Sequence, residues 1–215
     1  MHKVDARWGI LGDGTTAVIE MAEASGLHLL QRSEYDVSHA TTFGVGELIR
    51  EAIQKECRKI LIGLGGSATN DGGAGCARAF GAKFFDEQGK ELDDGGIHLS
   101  KLKRIEINNG ELRIKNVEVV GLSDVTNELC GPNGAAYTFA AQKGATTEQI
   151  SQLDEALRHY ASIIKRECHQ DVSHIPGSGS AGGLGAGLIT FFNADRKSTR
   201  LNSSHSDRSR MPSSA

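Results

Sequence analysis

A glycine-rich stretch that follows an apolar segment contains the polar side chains best suited to bind an anion or a metal ion. In the sequence KILIGLGGSATNDGGAG, residues 59–75, six of the last thirteen positions are glycine. Glycine-rich turns expose consecutive backbone N–H groups, and such groups bind anions. The polar side chains of this stretch are Ser67, Thr69, Asn70 and Asp71. The first three could donate hydrogen bonds to anionic oxygens, and Asp71 could hold magnesium or accept a proton.

Two other interpretations of this stretch stay open. Gly63, Gly65 and Ala68 match the G-x-G-x-x-A pattern of dinucleotide-binding folds, and Asp86 follows about twenty residues later. The helix of such a fold would then include the glycines of TNDGGAG, at a cost of roughly 1 kcal/mol each relative to alanine. Alternatively, Asn-Asp-Gly is only a turn, and Asp71 caps the short helix that follows. A Walker A loop is excluded because no G-K-[ST] follows the glycines.

A second candidate constellation lies in GLSDVTNELCGPNGAAYTFAAQKGA, residues 121–145. Asp124 ends an apolar strand, where open α/β sheets place ligand groups, and Asn127 is close enough to share a site. Lys143 is a flexible point charge suited to a phosphate. The plainer interpretations are a turn at Asp124 and a solvated lysine. Glu20, at the end of another strand-like run, lies either at the mouth of a site or at an exposed strand end.

The predicted secondary structure around these candidate residues alternates between strands and helices. RWGIL and TTAVIEMA, separated by the turn GDG, predict a hairpin. Apolar residues at helical spacing predict a helix after Thr41 or Thr42 and another after Thr146, where Thr146 and Gln149 fit a capping box. Strands are predicted at KILIGL, AKFFD and VEVVGLSD. This alternation predicts an α/β fold with Rossmann-like layers, in which a parallel or mixed sheet has flanking helices.

Composition excludes several function classes. The net charge of −3 gives no electrostatic case for a nucleic-acid partner. The four cysteines are far apart, which suits a reducing compartment, and no apolar run is long enough for a membrane helix. We therefore expect a cytoplasmic protein of unspecified oligomeric state. Residues 196–215 are rich in serine and arginine and are predicted to be a disordered, non-native tail, which leaves residues 1–195 as the folded region.

The chain resembles the bacterial family of ATP-dependent glycerate kinases of type 1. Five segments carry the resemblance in the order of the family, and they are TAVIEMAEASGL, TTFGVGELIREAI, ILIGLGGSATNDGGAG, DVTNELCGPNGAAYTFAAQKGA and GSGSAGGLGAGL. GGSATNDGG is the most specific of them. The sequence departs from the family at Glu128, at FAAQKGA and at GSGSAGG. It also lacks the amino-terminal Asp-Ser-Phe-Lys motif and the family's carboxyl-terminal part, so we expect an internal fragment.

The resemblance implies two α/β domains around a cleft, ATP and Mg²⁺ as cofactors, and phosphoryl transfer to a hydroxyl of D-glycerate. Applied to matching positions, it implies that Gly65, Gly66 and Ser67 bind the phosphate. Asn70 and Asp71 would contact substrate or metal, and Asn127 would join them. Asp124 would be the base or the magnesium ligand, and Lys143 would neutralise phosphate. The alternatives are an NAD-dependent dehydrogenase and a non-catalytic remnant, and we expect this chain to release little ADP.

Overall fold

The computed structural model describes residues 3–107 and 116–198. The strands are β1 (Trp8–Ile10), β2 (Thr16–Glu20), β3 (Lys59–Gly63), β4 (Lys83–Phe85), β5 (Arg104–Glu106), β6 (Glu118–Ser123) and β7 (Asp195–Ser198). The α-helices are α1 (Ala22–Ser25), α2 (Phe43–Gln54), α3 (Ala74–Arg78), α4 (Ala135–Phe139), α5 (Thr147–Glu167) and α6 (Ser180–Phe192). Short 3₁₀ helices occupy Leu27–Leu29, Arg32–Glu34, Gly96–Lys101 and Ala141–Lys143.

The main sheet is mixed, in the order β1-β2-β3-β6-β7. Strand β1 is antiparallel to β2, and the other three pairs are parallel. The register sets Glu20 opposite Gly63 and Gly63 opposite Leu122, so β2, β3 and β6 end at one edge of the sheet. The predicted α/β fold with a parallel or mixed sheet and flanking helices is confirmed.

The predicted opening hairpin is present, and its turn is held by one carboxylate. Asp13 Oδ1 accepts hydrogen bonds from the backbone N–H groups of Thr15 and Thr16, both at 2.9 Å. Strands β4 and β5 form a separate antiparallel pair, so the predicted strand AKFFD exists but does not join the main sheet.

The two helices with regular apolar spacing form as predicted. Helix α5 begins with the expected capping box, in which Gln149 N donates to Thr146 Oγ1 at 3.2 Å and Thr146 N donates to Gln149 Oε1 at 2.9 Å. The apolar stripe of α2 is buried, with Val45, Ile49 and Ala52 inaccessible to solvent. These faces pack with the sheet residues in one large core cluster. Among the described residues, no helix has the length and apolar content needed to cross a membrane.

Strand β7 extends the folded part beyond the predicted boundary. Residues 196–198, which the sequence analysis assigns to the tail, lie in this strand and pair in parallel with Gly121–Ser123 of β6. The remainder of the predicted tail, residues 199–215, lies outside the described residues.

Candidate ligand-binding cleft

The glycine-rich loop connects β3 to α3 without a helix at its second glycine. Gly66, Gly72 and Gly73 all have left-handed backbones, with φ of 71°, 63° and 78°, and the next helix begins only at Ala74. A left-handed conformation is readily available to glycine, and this explains three of the six glycines in the loop. The loop is too long for the turn of a dinucleotide-binding fold.

Asp86, the acidic residue that the dinucleotide interpretation requires, does not belong to the main sheet. Asp86 follows β4 in the separate two-stranded sheet, and its Oδ1 accepts hydrogen bonds from Gln88 N and Lys90 N. It therefore shapes a turn. The G-x-G-x-x-A match of Gly63, Gly65 and Ala68 is consequently not part of a dinucleotide-binding unit.

A cleft of about 630 Å³ opens at the carboxyl ends of β2, β3 and β6. This edge is where open α/β sheets bind their ligands. The lining comes from distant parts of the chain and comprises Glu20, Leu27, Gly63, Leu64, Gly65, Gly66, Ser67, Leu122, Ser123, Asp124, Val125, Phe139, Gln142, Lys143 and Ala181. Five of the eight predicted site residues therefore meet in one cleft, namely Gly65, Gly66, Ser67, Asp124 and Lys143.

Gly65 is a bare piece of backbone that faces the cleft. Its φ is not in the left-handed region, and a Cβ built on it would meet no described atom within 4 Å. Neither backbone conformation nor packing against the described residues therefore requires glycine at this position. The absent side chain leaves the backbone open to the close approach of a ligand.

Lys143 is a buried amine held against the glycine-rich loop. It is 2% exposed, and its Nζ donates hydrogen bonds to Thr69 O at 2.6 Å and to Ser67 Oγ at 3.3 Å. Burial lowers the pKa of Lys143 to about 7, and the ionised Asp71 carboxylate opposes this shift. The amine can therefore change its charge near neutral pH in response to an anion in the cleft.

The hydroxyl of Ser67 belongs to the same hydrogen-bond network. Its Oγ accepts a hydrogen bond from Thr69 N at 3.0 Å and lies 3.0 Å from Thr69 Oγ1. Across the cleft, Ser123 Oγ lies 2.9 Å from Ser180 Oγ, which ties the end of β6 to the start of α6. These bonds hold the polar lining in place around the cleft.

Two carboxylates flank the loop at the ends of β2 and β6, the strands on either side of β3. Glu20 ends β2 and Asp124 follows β6, and both side chains are exposed. Within the described part of the chain neither carboxylate has a hydrogen bond or ion pair. Both are therefore available to a ligand, a hydroxyl donor or a cation. In the sequence, the only signal for Glu20 is its place at the end of a strand-like run, which fits the mouth of a site and an exposed strand end equally.

Asp71 lies beneath the cleft, not in its lining. It is 1% exposed and accepts hydrogen bonds from Thr42 N at 2.8 Å, Thr42 Oγ1 at 2.9 Å, Gly73 N at 3.1 Å and Gly75 N at 3.2 Å. Burial raises the pKa of Asp71, and the hydrogen bonds from Thr42, Gly73 and Gly75 oppose that rise. These contacts join the loop to the starts of α2 and α3. They resemble the structural role considered in the sequence, in which Asp71 caps the short helix that follows.

Asn70 and Asn127 are also outside the lining of the cleft. Asn70 is fully buried, and its side-chain nitrogen and oxygen have no hydrogen-bond partner among the described residues. Asn127 Nδ2 donates to Asn133 O at 2.7 Å and to Thr138 Oγ1 at 3.1 Å, which braces the segment before α4. Asn70 was a candidate as a polar residue of the glycine-rich loop and Asn127 as a sequence neighbour of Asp124, but neither side chain lines the cleft.

The cleft offers oxygen donors of the kind that Mg²⁺ prefers. Among the described residues, no group of three His, Cys, Asp or Glu side chains could hold a metal ion by itself. Mg²⁺ sites in phosphate-transfer enzymes commonly use one or two carboxylates, with the remaining ligands from water and substrate phosphates. The exposed carboxylate of Asp124 fits such a site.

The fold and the cleft together define an α/β protein with a candidate ligand-binding cleft at the carboxyl ends of its parallel strands. Residues 1–201 match the model of the Glycerate kinase family. The chain therefore belongs to the glycerate kinase family, as the resemblance in the sequence predicts.

Individual relatives agree with this assignment. The chain is 49% identical over 197 residues to the Glycerate 2-kinase of Escherichia coli (strain K12), covering 92% of this chain and 52% of that protein. It is 43% identical over 194 residues to the Glycerate kinase of Bacillus subtilis (strain 168), covering 90% and 51%. The crystal structure of a protein described as glycerate kinase 2 from Salmonella typhimurium LT2 superposes with a TM-score of 0.88 at 45% identity, covering 91% and 52%. The chain thus spans about half the length of the relatives it matches.

Proposed function

We propose that this chain supplies a substrate cleft for the ATP-dependent phosphorylation of D-glycerate. The observation that carries the proposal is the meeting of Gly65, Ser67, Asp124 and Lys143 in one cleft, although 78 residues separate the first from the last in sequence. The names of the relatives support the same reaction. Phosphoryl transfer depends on positioning and on charge neutralisation more than on covalent chemistry, and these residues provide both.

Each lining group has a distinct role in the proposed reaction. The backbone N–H groups of Gly65 and Gly66 and the Ser67 hydroxyl bind phosphate oxygens, and Lys143 Nζ neutralises their charge. Asp124 would hold Mg²⁺, which when bound would neutralise phosphate charge and orient the oxygens. Of the buried residues, Asp71 is best assigned a positioning role, because its carboxylate fixes the loop that carries Gly65 and Ser67.

The acceptor atom and the cellular setting are part of the proposal. The name of the Escherichia coli relative, Glycerate 2-kinase, supports the hydroxyl on carbon 2 as acceptor and 2-phosphoglycerate as product. The four cysteines are free thiols, three of them buried, which supports a cytoplasmic location.

A comparison of nucleotide ligands tests the proposal. A ligand that binds only the folded chain raises its thermal stability, by about 2.7 kcal/mol at a concentration of 100 Kd. We expect Mg·ATP and Mg·ADP to raise the melting temperature and NAD to leave it unchanged. Asp86→Asn is the matched control, because it alters the acidic residue of the dinucleotide pattern outside the cleft, and it should respond to Mg·ATP like the unmodified chain.

A rise in melting temperature with NAD would favour the alternative function, an NAD-dependent dehydrogenase. Stabilisation by NAD without stabilisation by Mg·ATP would contradict the kinase proposal. Formation of ADP with D-glycerate is then measured on the same samples. Because we expect this chain to release little ADP, binding is the primary measurement and turnover the secondary one.

A further inference from the structure

Glu20 is a charged group of the cleft that the phosphate-binding roles above do not use. Its carboxylate stands at the carboxyl end of β2, is exposed and has no partner among the described residues. An unpaired carboxylate beside a site for anions is unfavourable, because it repels both phosphate and the carboxylate of glycerate. The position of Glu20 in the cleft therefore calls for an explanation. A carboxylate accepts hydrogen bonds and cannot donate them when ionised.

The neighbouring glycine shows that this carboxylate occupies a defined place. Gly63 lies opposite Glu20 in the sheet, and its φ is outside the left-handed region. A Cβ at position 63 would come within 2.6 Å of Glu20 Cδ and 2.8 Å of Glu20 Oε1. Glycine at this position therefore makes room for the Glu20 carboxylate, which packs over the backbone at the base of the glycine-rich loop.

The sheet separates Glu20 from the other carboxylate of the cleft. Strand β3 lies between β2 and β6, so Glu20 and Asp124 stand on opposite sides of the loop. Adjacent strands are about 4.8 Å apart, which separates the backbones of β2 and β6 by roughly 10 Å. Asp124 can therefore bind the cation next to the phosphate groups, while Glu20 is placed to bind a different group of the substrates.

We propose that Glu20 determines substrate specificity by accepting a hydrogen bond from one hydroxyl group of the hydroxy-acid substrate. This inference rests on the proposed function, since D-glycerate supplies the hydroxyl. The negative groups of the substrates bind the N–H groups, the Ser67 hydroxyl and the Lys143 amine. Glu20 is the acceptor in the lining that selects a hydroxyl over a second anionic group.

A cycle of ligand and residue changes tests the inference without relying on turnover. The dissociation constants of D-glycerate, D-lactate and 3-hydroxypropionate are measured by calorimetry with Mg·ADP present. D-Lactate lacks the hydroxyl on carbon 3, and 3-hydroxypropionate lacks the hydroxyl on carbon 2. We expect Glu20→Ala to weaken D-glycerate binding about 10- to 100-fold, the range typical of a hydrogen bond to a charged group.

The analogues then show which hydroxyl is bound. One analogue should bind Glu20→Ala and the unmodified chain equally, because it lacks the hydroxyl group that donates a hydrogen bond to Glu20. The other analogue should lose as much affinity as D-glycerate. Glu47→Gln is the charge control, because Glu47 is an exposed carboxylate of α2 outside the cleft lining, and it should bind all three ligands normally.

Gly63→Ala provides a second variant, which keeps the Glu20 carboxylate but displaces it, because the added Cβ would occupy its place. The backbone at position 63 accepts alanine, and the nearest atoms belong to the flexible end of Glu20, so we expect an unchanged denaturation midpoint. The variant should still lose affinity for D-glycerate. A melting curve recorded with each titration separates this effect from unfolding.

Two failures are distinguishable. If the unmodified chain binds D-glycerate and Glu20→Ala weakens all three ligands by the same factor, or none of them, the role of Glu20 is overturned and the proposed function stands. If the unmodified chain binds none of the three ligands, both proposals are overturned.

Discussion

At the scale of single residues, Lys143 is the group whose surroundings say most about ligand binding. Its amine is almost completely buried, and its two hydrogen bonds go to a backbone carbonyl and a hydroxyl, neither of which is a carboxylate. Desolvation therefore dominates and lowers the pKa of Lys143 to about 7. An anion entering the cleft would replace the missing counter-charge and favour the protonated amine.

The pKa of Lys143 predicts a specific dependence of stability on pH. An unfolded lysine titrates near 10.4, so between about pH 7 and that value the folded chain binds fewer protons at Lys143 than the unfolded chain does. The contribution of Lys143 to the free energy of unfolding should therefore rise with pH in this range, by at most about 1.4 kcal/mol per pH unit.

Urea unfolding at several pH values between 7 and 9 measures this contribution. The difference in unfolding free energy between the unmodified chain and Lys143→Met should increase with pH. Lys55→Met changes an exposed lysine and should show no such trend. A difference that stays constant across this range for Lys143→Met would contradict the assignment of a neutral amine to Lys143.

Asp71 illustrates what residue types alone cannot settle. Its sequence context fits a metal or substrate ligand and a structural cap equally well, because both roles need a carboxylate next to glycines. Only the fold brings Thr42, 29 residues away in sequence, to the same carboxylate. Burial and hydrogen-bond partners depend on such non-local contacts, so the sequence could not choose between the roles.

At the scale of elements, the two glycine clusters of the sequence pack directly against each other. The start of α6 contains three consecutive left-handed residues, Ala181, Gly182 and Gly183, before the regular helix. Gly72 N donates to Gly182 O at 3.1 Å, and a Cβ on Gly73 would come within 2.9 Å of Gly187 Cα. The loop thus rests backbone to backbone on α6, which fixes the shape of the cleft from below.

This packing reverses the usual effect of alanine in a helix. Replacing glycine by alanine inside a helix normally stabilises it by roughly 1 kcal/mol. A Cβ on Gly187 would come within 2.8 Å of Gly73 Cα, so Gly187→Ala should instead destabilise the fold by about 1–3 kcal/mol. Gly9→Ala is the control, because nothing described lies within 4 Å of its Cβ position. Equal unfolding free energies for the two variants would contradict the close contact.

The sequence predicts the elements best where the signals are local. Helix α5 and its capping box, the opening hairpin and the strands β3 and β6 follow from spacing and turn residues within each segment. Strand β7 does not, because Asp195–Ser198 is short and polar and becomes a strand by pairing with β6, about 75 residues earlier in the chain. The left-handed turn at Ala181–Gly183 is equally dependent on the neighbouring loop.

At the scale of the whole molecule, the cleft is a property of the complete fold. Its lining extends from Glu20 to Ala181, and the residues that hold the lining in place are spread over the same range. The sequence alone identified the glycine-rich loop, Asp124 and Lys143 as candidates. Their meeting in one cleft required the parallel order of β2, β3 and β6, and the path of the loop leaves Asn70 and Asp71 outside the lining.

We propose that the bare backbone at Gly65 binds a phosphate, and the affinity of Gly65→Ala for Mg·ADP is the measurement that depends on this contact. Position 65 has an ordinary φ and open space around it, so the free energy of unfolding should change by less than about 0.5 kcal/mol. The added methyl group occupies the space of the ligand, and calorimetry should show Mg·ADP binding at least tenfold weaker, about 1.4 kcal/mol. Equal affinity of Gly65→Ala and the unmodified chain for Mg·ADP would contradict the account.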